Sequence, residues 1–119
     1  MSQHNKDTGF LGENKAAEYL MGMGYTILHQ NWRYKHLEID IIASKGKCLH
    51  IVEVKTRRTN NFGFPEQHIN PQKMQYLKNA AAIFQYQHPI WKTLQFDVIA
   101  IQLLAQEKWE LFFIEDVYF

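Results

Sequence analysis

The chain is predicted to be α/β, a mixed β-sheet flanked by helices. Three observations lead there. Apolar residues recur at helical spacing in two segments, about 10–23 and 71–86, while the runs between and after them follow the period of two that strands require. The order is therefore helix, three strands, helix, further strands, which a layered arrangement satisfies. With 119 residues, 46% of them apolar, the chain supports one core and reads as a single domain spanning 1–119.

Taken in order, Met1 to Asp7 is polar and expected to be flexible. Asp7 or Thr8 can cap a helix expected over Phe10 to Met23, and Gly22 or Gly24 supplies its stop. Glu13, Ala16, Ala17 and Leu20 fall on one face of that helix. An acid in a first turn is favoured by the helix dipole, which accounts for Glu13 without any chemistry. Gly9 and Gly12 allow the helix start to approach the sheet or a phosphate closely. Tyr25 to His29 is a short β segment that Asn31 to Tyr34 continues. Trp32 and Tyr34 there read first as core aromatics and second as platforms for an unpaired base.

The stretch Leu37 to Arg58, LEIDIIASKGKCLHIVEVKTRR, reads as a hairpin with its turn in Ser44-Lys45-Gly46-Lys47. Strict alternation puts Glu38 and Asp40 on one face and Ile39 and Ile41 on the other. After the turn, Leu49, Ile51, Glu53 and Lys55 share a face, opposite His50, Val52 and Val54. A two-residue loop at Lys45-Gly46 would set Glu38 against Glu53, and a four-residue loop would set Asp40 against Glu53. Either register crowds carboxylates among Ile and Val, where lost hydration and mutual repulsion demand a counter-charge. Lys55 can neutralise part of it, and a hard cation such as Mg²⁺ suits one or two carboxylates, a backbone carbonyl and retained waters. Rim salt bridges on a sheet edge are the plainer alternative.

Beyond Thr56 the composition is that of a loop through Pro65, with Lys55, Arg57 and Arg58 forming a basic cluster suited to phosphate. Asn70-Pro71 opens a second helix running to about Tyr86, with Leu77, Ala80, Ala81 and Phe84 towards the sheet, Lys73 and Lys78 outside, and His88-Pro89 as its end. Leu94 to Leu103 and Trp109 to Ile114 are the closing strands. Asp97 within the first of them is expected to bond backbone amides or a basic residue instead of a metal. The six histidines lack ligand spacing, His68 being the one nearest the site loop.

The segments GFLGENKAAEYLMGMGYTILHQNWR, LEIDIIA, HIVEVKTRR, INPQKMQYLKNAAAIF and QFDVIAI, in this order from about Gly9 to Ile101, resemble the YraN family of small bacterial proteins. By resemblance, that family is assigned to the restriction-endonuclease-like, Holliday-junction-resolvase-like nucleases with the PD-(D/E)xK signature. The resemblance implies an αβββαβ core and metal-dependent hydrolysis of DNA phosphodiesters. It implies a catalytic set of Glu13, Asp40, Glu53 and Lys55. Asp40 and Glu53 would hold Mg²⁺, or Mn²⁺ in its place, with the Val54 carbonyl and Glu13, directly or through water. Glu38 would lie just outside the ligands, and Lys55 would orient the attacking water or stabilise developing charge. Lys73 matches the family's helix lysine and would reach a phosphate, joining Arg33, Lys35, Arg57 and Arg58 as the nucleic-acid rim. Cutting a junction would need two sites and hence a homodimer.

Two positions depart from the family's pattern: Leu37 stands where Gly is usual, and Gln95 where Arg precedes Phe-Asp. Both leave room for a rival from another class, a catalytically weak or inactive nucleic-acid-binding or partner-binding module on the same fold. The balance of charge, 13 basic against 12 acidic residues, demands that any nucleic acid be held by a local patch. One cysteine, Cys48, excludes an internal disulfide and a cysteine-built zinc site. No run approaches a membrane span and the start lacks an apolar signal core, so the expected location is cytoplasmic.

Overall fold

The period-two segments form one five-stranded mixed sheet in a computed structural model that describes residues 3–58 and 71–117, with side chains from Gly9 onward. The strands β1 (Thr26–Tyr34), β2 (Leu37–Lys45), β3 (Cys48–Arg57), β4 (Thr93–Leu103) and β5 (Trp109–Ile114) lie in the order of the chain. Neighbours are antiparallel except β3 and β4, which are parallel and joined through a helix as parallel strands must be. Helix α1 (Gln3–Gly22) covers one face, where Ala16, Ala17 and Leu20 meet Ile41, Val52, Ile99 and Ile101. Helix α2 (Pro71–Gln87) covers the other, where Met74, Leu77, Ala80, Ala81 and Phe84 meet Ile39, Ile42, Leu49 and Ile51. This is the α/β architecture expected, and it is compatible with a restriction-endonuclease-like core.

The first helix is longer than its sequence signals indicate. It starts at Gln3 instead of Phe10, so Asp7 and Thr8 lie within the helix and not at its start, and the helix runs through part of the stretch expected to be flexible. No Gly or Pro interrupts residues 3–8, and adding a residue to an existing helix gains a hydrogen bond for each residue fixed. Its end is as expected. Gly24 has φ +94°, and the Tyr25 and Gly24 amides donate to the Leu20 and Met21 carbonyls, the paired bonds of a Schellman stop. Gly12 meets β3 so closely that a Cβ there would collide with the Thr56 side chain, 2.8 Å from its Cβ. Gly9 has open space around it. The Asn70 cap of α2 and the loop read over 59–65 lie outside the described residues.

The hairpin turn is two residues long but sits at Gly46-Lys47, one step later than the two-residue loop expected, and its register is the one the four-residue loop gave. Gly46 takes φ +61° at the first central position, where a type II′ turn requires glycine. That step moves the register so that Ile41 faces Val52, and Asp40 comes opposite Glu53 just beyond the last paired residues. Alternation in β2 also departs from expectation. Ile39 packs on the α2 side and Ile41 on the α1 side, although two residues apart they should share a face. The break is matched in β1, where Asn31, between Gln30 (opposite Ile41) and Trp32 (opposite Ile39), has φ +55°. A left-handed residue rotates the strand locally, and Asn tolerates that conformation better than most. Asp40 therefore sits at the twist.

Candidate active site

Beyond Ile41 and Val52, β2 and β3 have no further paired residues, and the opening between them holds the acids. The Val54 amide donates to Asp40 Oδ2 at 2.8 Å, tying that carboxylate to β3. Glu53 is 4% exposed and hydrogen-bonds Asp40. From α2, Lys73 Nζ lies 3.4 Å from Glu53 Oε1, and Lys55 Nζ lies 3.9 Å from the same oxygen. From α1, Glu13 is near enough to Asp40 and Glu38 to feel both charges, and its carboxylate accepts a hydrogen bond from the Asn31 side chain.

The electrostatics follow from this enclosure. Burial pushes the Glu53 carboxyl up to about 7, the Asp40 charge adds to the rise, and the two ammonium groups oppose it without cancelling it. Asp40 is raised as well, first by burial, with the Val54 amide, Lys73 and the Glu53 hydroxyl pulling the other way. The hydrogen-bonded pair thus holds a proton more tightly than an isolated carboxylate does. Glu13 is raised by burial and then by Asp40, and the Asn31 hydrogen bond lowers it. Two hydrogen-bonded carboxyls are hard oxygen donors of the kind a divalent cation would take in place of the proton they hold. Among the described residues no group of three or more acidic, histidine or cysteine side chains forms a metal cage. The fit is to a cation that keeps water and takes two carboxylates, the manner of Mg²⁺.

Of the residues singled out from sequence, Asp40, Glu53, Val54, Lys55, Lys73 and Glu13 come together. Lys73 is not outside on the helix but against Glu53, within the acid centre. Arg33 pairs with Glu38 at 3.4 Å across β1 and β2, an exposed bridge on the rim. Lys35, with φ +54°, lies over the Tyr34 ring at 5.6 Å in the β1–β2 turn. Arg57 ends β3 and Arg58 follows it, exposed. Trp32 is half-buried and packs edge-on against Phe84 at 5.5 Å, at the margin of the α2-side core. Leu37 fills the α2-side core. His68 lies outside the described residues.

Asp97 belongs elsewhere, as expected. Its carboxylate pairs with His50 Nδ1 at 2.7 Å and accepts from Gln95 Nε2 at 2.8 Å and the Asp116 amide at 2.9 Å. Gln95 is therefore engaged in bracing this buried acid. Sequence reasoning missed Asn31. Its only signal is residue type, an asparagine inside a strand pattern, where that residue is disfavoured unless a positive φ or a local bond requires it.

Residues 12–101 match the model of Uncharacterised protein family UPF0102. A UPF0102 protein of Flavobacterium psychrophilum is 42% identical over 101 residues, covering 85% of this chain and 84% of that one. A UPF0102 protein of Flavobacterium johnsoniae is 42% identical over 105 residues, 85% of each chain. One from Clostridium perfringens is 35% identical over 120 residues, 99% of this chain and 98% of its own. Among the described residues no helix is long and apolar enough to cross a membrane.

Proposed function

This chain belongs to the UPF0102 family, and we propose that it is a metal-dependent endonuclease hydrolysing phosphodiester bonds in DNA, on branched or otherwise structured substrates. The observation that carries the proposal is the hydrogen-bonded Asp40–Glu53 carboxyl pair, Glu53 buried and Asp40 half-buried, flanked by Lys55 and Lys73 at the opening between two strands. Asp40 and Glu53 would hold Mg²⁺ or Mn²⁺, with the Val54 carbonyl and, directly or through water, Glu13. When bound, the cation supplies Lewis-acid polarisation of the scissile phosphate and lowers the pKa of water. The protein's own share is to fix Asp40 through the Val54 amide and to offer the Lys55 ammonium for orienting the nucleophile or stabilising charge that develops on the phosphate. Lys73, beside Glu53, tempers the repulsion between the acids. Arg33, Lys35, Arg57 and Arg58 would hold the phosphate backbone away from the scissile bond.

One observation favours the rival, a binding module of low or no activity. Both lysines reach Glu53 Oε1, which compensates the acid pair without a cation. Metal binding separates the two. Titration of Mg²⁺ and Mn²⁺ into wild type and Asp40→Ala, followed by cleavage of single-stranded, duplex, flap and four-way DNA, is expected to show binding and cleavage in the wild type only. Cleavage that persists in Asp40→Ala or Glu53→Ala would refute the assignment. A wild type that binds DNA without binding metal or cutting would establish the module.

A further inference from the structure

We propose that the groove between the middle of α1 and the β4–β5 turn binds an unpaired nucleic-acid strand, its bases stacking on Trp109 and its phosphates meeting Lys15, Arg58 and Lys108. This names the substrate class of the proposed nuclease, a nucleic acid with a single-stranded stretch beside the scissile bond, and it rests on that reading.

The groove encloses about 510 Å³ and its lining includes Leu11, Lys15, Arg58, Glu107, Lys108 and Trp109. Three cations against one carboxylate make it locally positive in a chain of net charge +1, the local patch that a nucleic-acid partner demands here. Trp109 opens β5 and is 42% exposed, a large aromatic surface held at the rim of the groove, whereas Phe84 is held in the core. The Lys15 ammonium lies 4.2 Å from the indole centroid, so positive charge and stacking surface are already joined. Successive bases stacked on aromatics along a cationic groove are how single strands are held without regard to sequence.

The position ties the groove to the acid centre. Glu13 and Lys15 are two residues apart on α1, and Gly12 between Leu11 and Glu13 packs against Thr56 of β3. Arg58 follows Glu53 by five residues, roughly 17 Å along the strand direction at about 3.3 Å per residue. A strand lying in the groove would therefore reach the acids within a few nucleotides, whereas a uniform duplex would leave Trp109 without a base to stack.

Fluorescence anisotropy of a labelled thymidine oligonucleotide about 12 nucleotides long, in EDTA so that cleavage plays no part, tests the proposal. Trp109→Ala is expected to weaken oligonucleotide binding roughly tenfold and Trp109→Phe to recover most of it, with duplex binding unchanged. Lys108→Gln should flatten the salt dependence of single-strand binding by about 0.7 in log–log slope. An abasic oligonucleotide should bind wild type as weakly as the intact one binds Trp109→Ala, and a uridine oligonucleotide held in the same Trp109-dependent way would support the groove equally. Unchanged oligonucleotide affinity in Trp109→Ala, or equal losses on single strand and duplex, would overturn the groove while leaving the nuclease reading to the cleavage assay. A wild type that binds no nucleic acid would overturn both.

Discussion

Replacing Glu53 by Gln should make the metal-free protein more stable at high pH, although it removes half of the candidate site. The folded state keeps a proton on Glu53 that the unfolded chain loses at its ordinary value of 4.5, since burial beside Asp40 lifts the carboxyl to about 7. Stability from this group is thus fully present below pH 4.5, declines between the two values and is lost once pH has risen through about 7. At about 1.36 kcal/mol for each pH unit of that interval, the loss is about 3 kcal/mol. Glutamine cannot ionise, and its amide can donate to Asp40 as the protonated acid does. Urea unfolding in EDTA at pH 4.5 and 8.5 is the assay. The stability difference between Glu53→Gln and wild type should move by about 3 kcal/mol in favour of the variant between those pH values. A difference that stays constant with pH would refute the enclosure of an ionisable pair described here. Mg²⁺ at 100 times its Kd should return about 2.7 kcal/mol to the wild type at high pH and much less to the variant.

Three other substitutions test the surroundings. Gly12→Ala should cost about 1–3 kcal/mol, because its Cβ meets the Thr56 side chain, and Thr56→Ala in the same chain should restore part of that in denaturant unfolding. Asp97→Ala should cost about 3 kcal/mol by stranding His50 and the Asp116 amide, with metal titration unaffected since this network touches no residue of the acid pair. Asn31→Ala should cost about 1 kcal/mol for a left-handed residue and raise the Glu13 carboxyl further, read by carbon-13 carboxyl titration. Asn31→Gly should recover the backbone part alone.

The five strands and α2 were legible because each carries its own signal: period two in the strands, period 3.6 in α2, and glycine in the hairpin, as at the end of α1. The start of α1 was not, since Asp7 and Thr8 are cap-forming residues wherever they stand and only the rest of the structure decides whether they cap. Asp40 and Glu53 were legible as neighbours, but their register turned on a single residue of loop position. The break in β2 was hidden altogether. Ile39, Ile41 and Ile42 are equally apolar, and nothing in three isoleucines says which helix each will meet. Lys73 looked like a solvent-facing lysine because helical spacing reports the face of a helix and not how far along the sheet its end extends.

The order of the sheet copies the order of the chain, and this bears on how the molecule folds. Asp40 and Glu53 meet across a hairpin, a local pairing that closes a short loop at small entropic expense. The parallel pairing of β3 with β4 spans the whole crossover through α2 and is the slow, non-local contact of the topology. The acids can therefore find each other without it, while the Lys73 ammonium that restrains them arrives only with α2. The chain thus brings its two acids together through a local pairing, and leaves to its one parallel crossover the task of bringing the ammonium that offsets them.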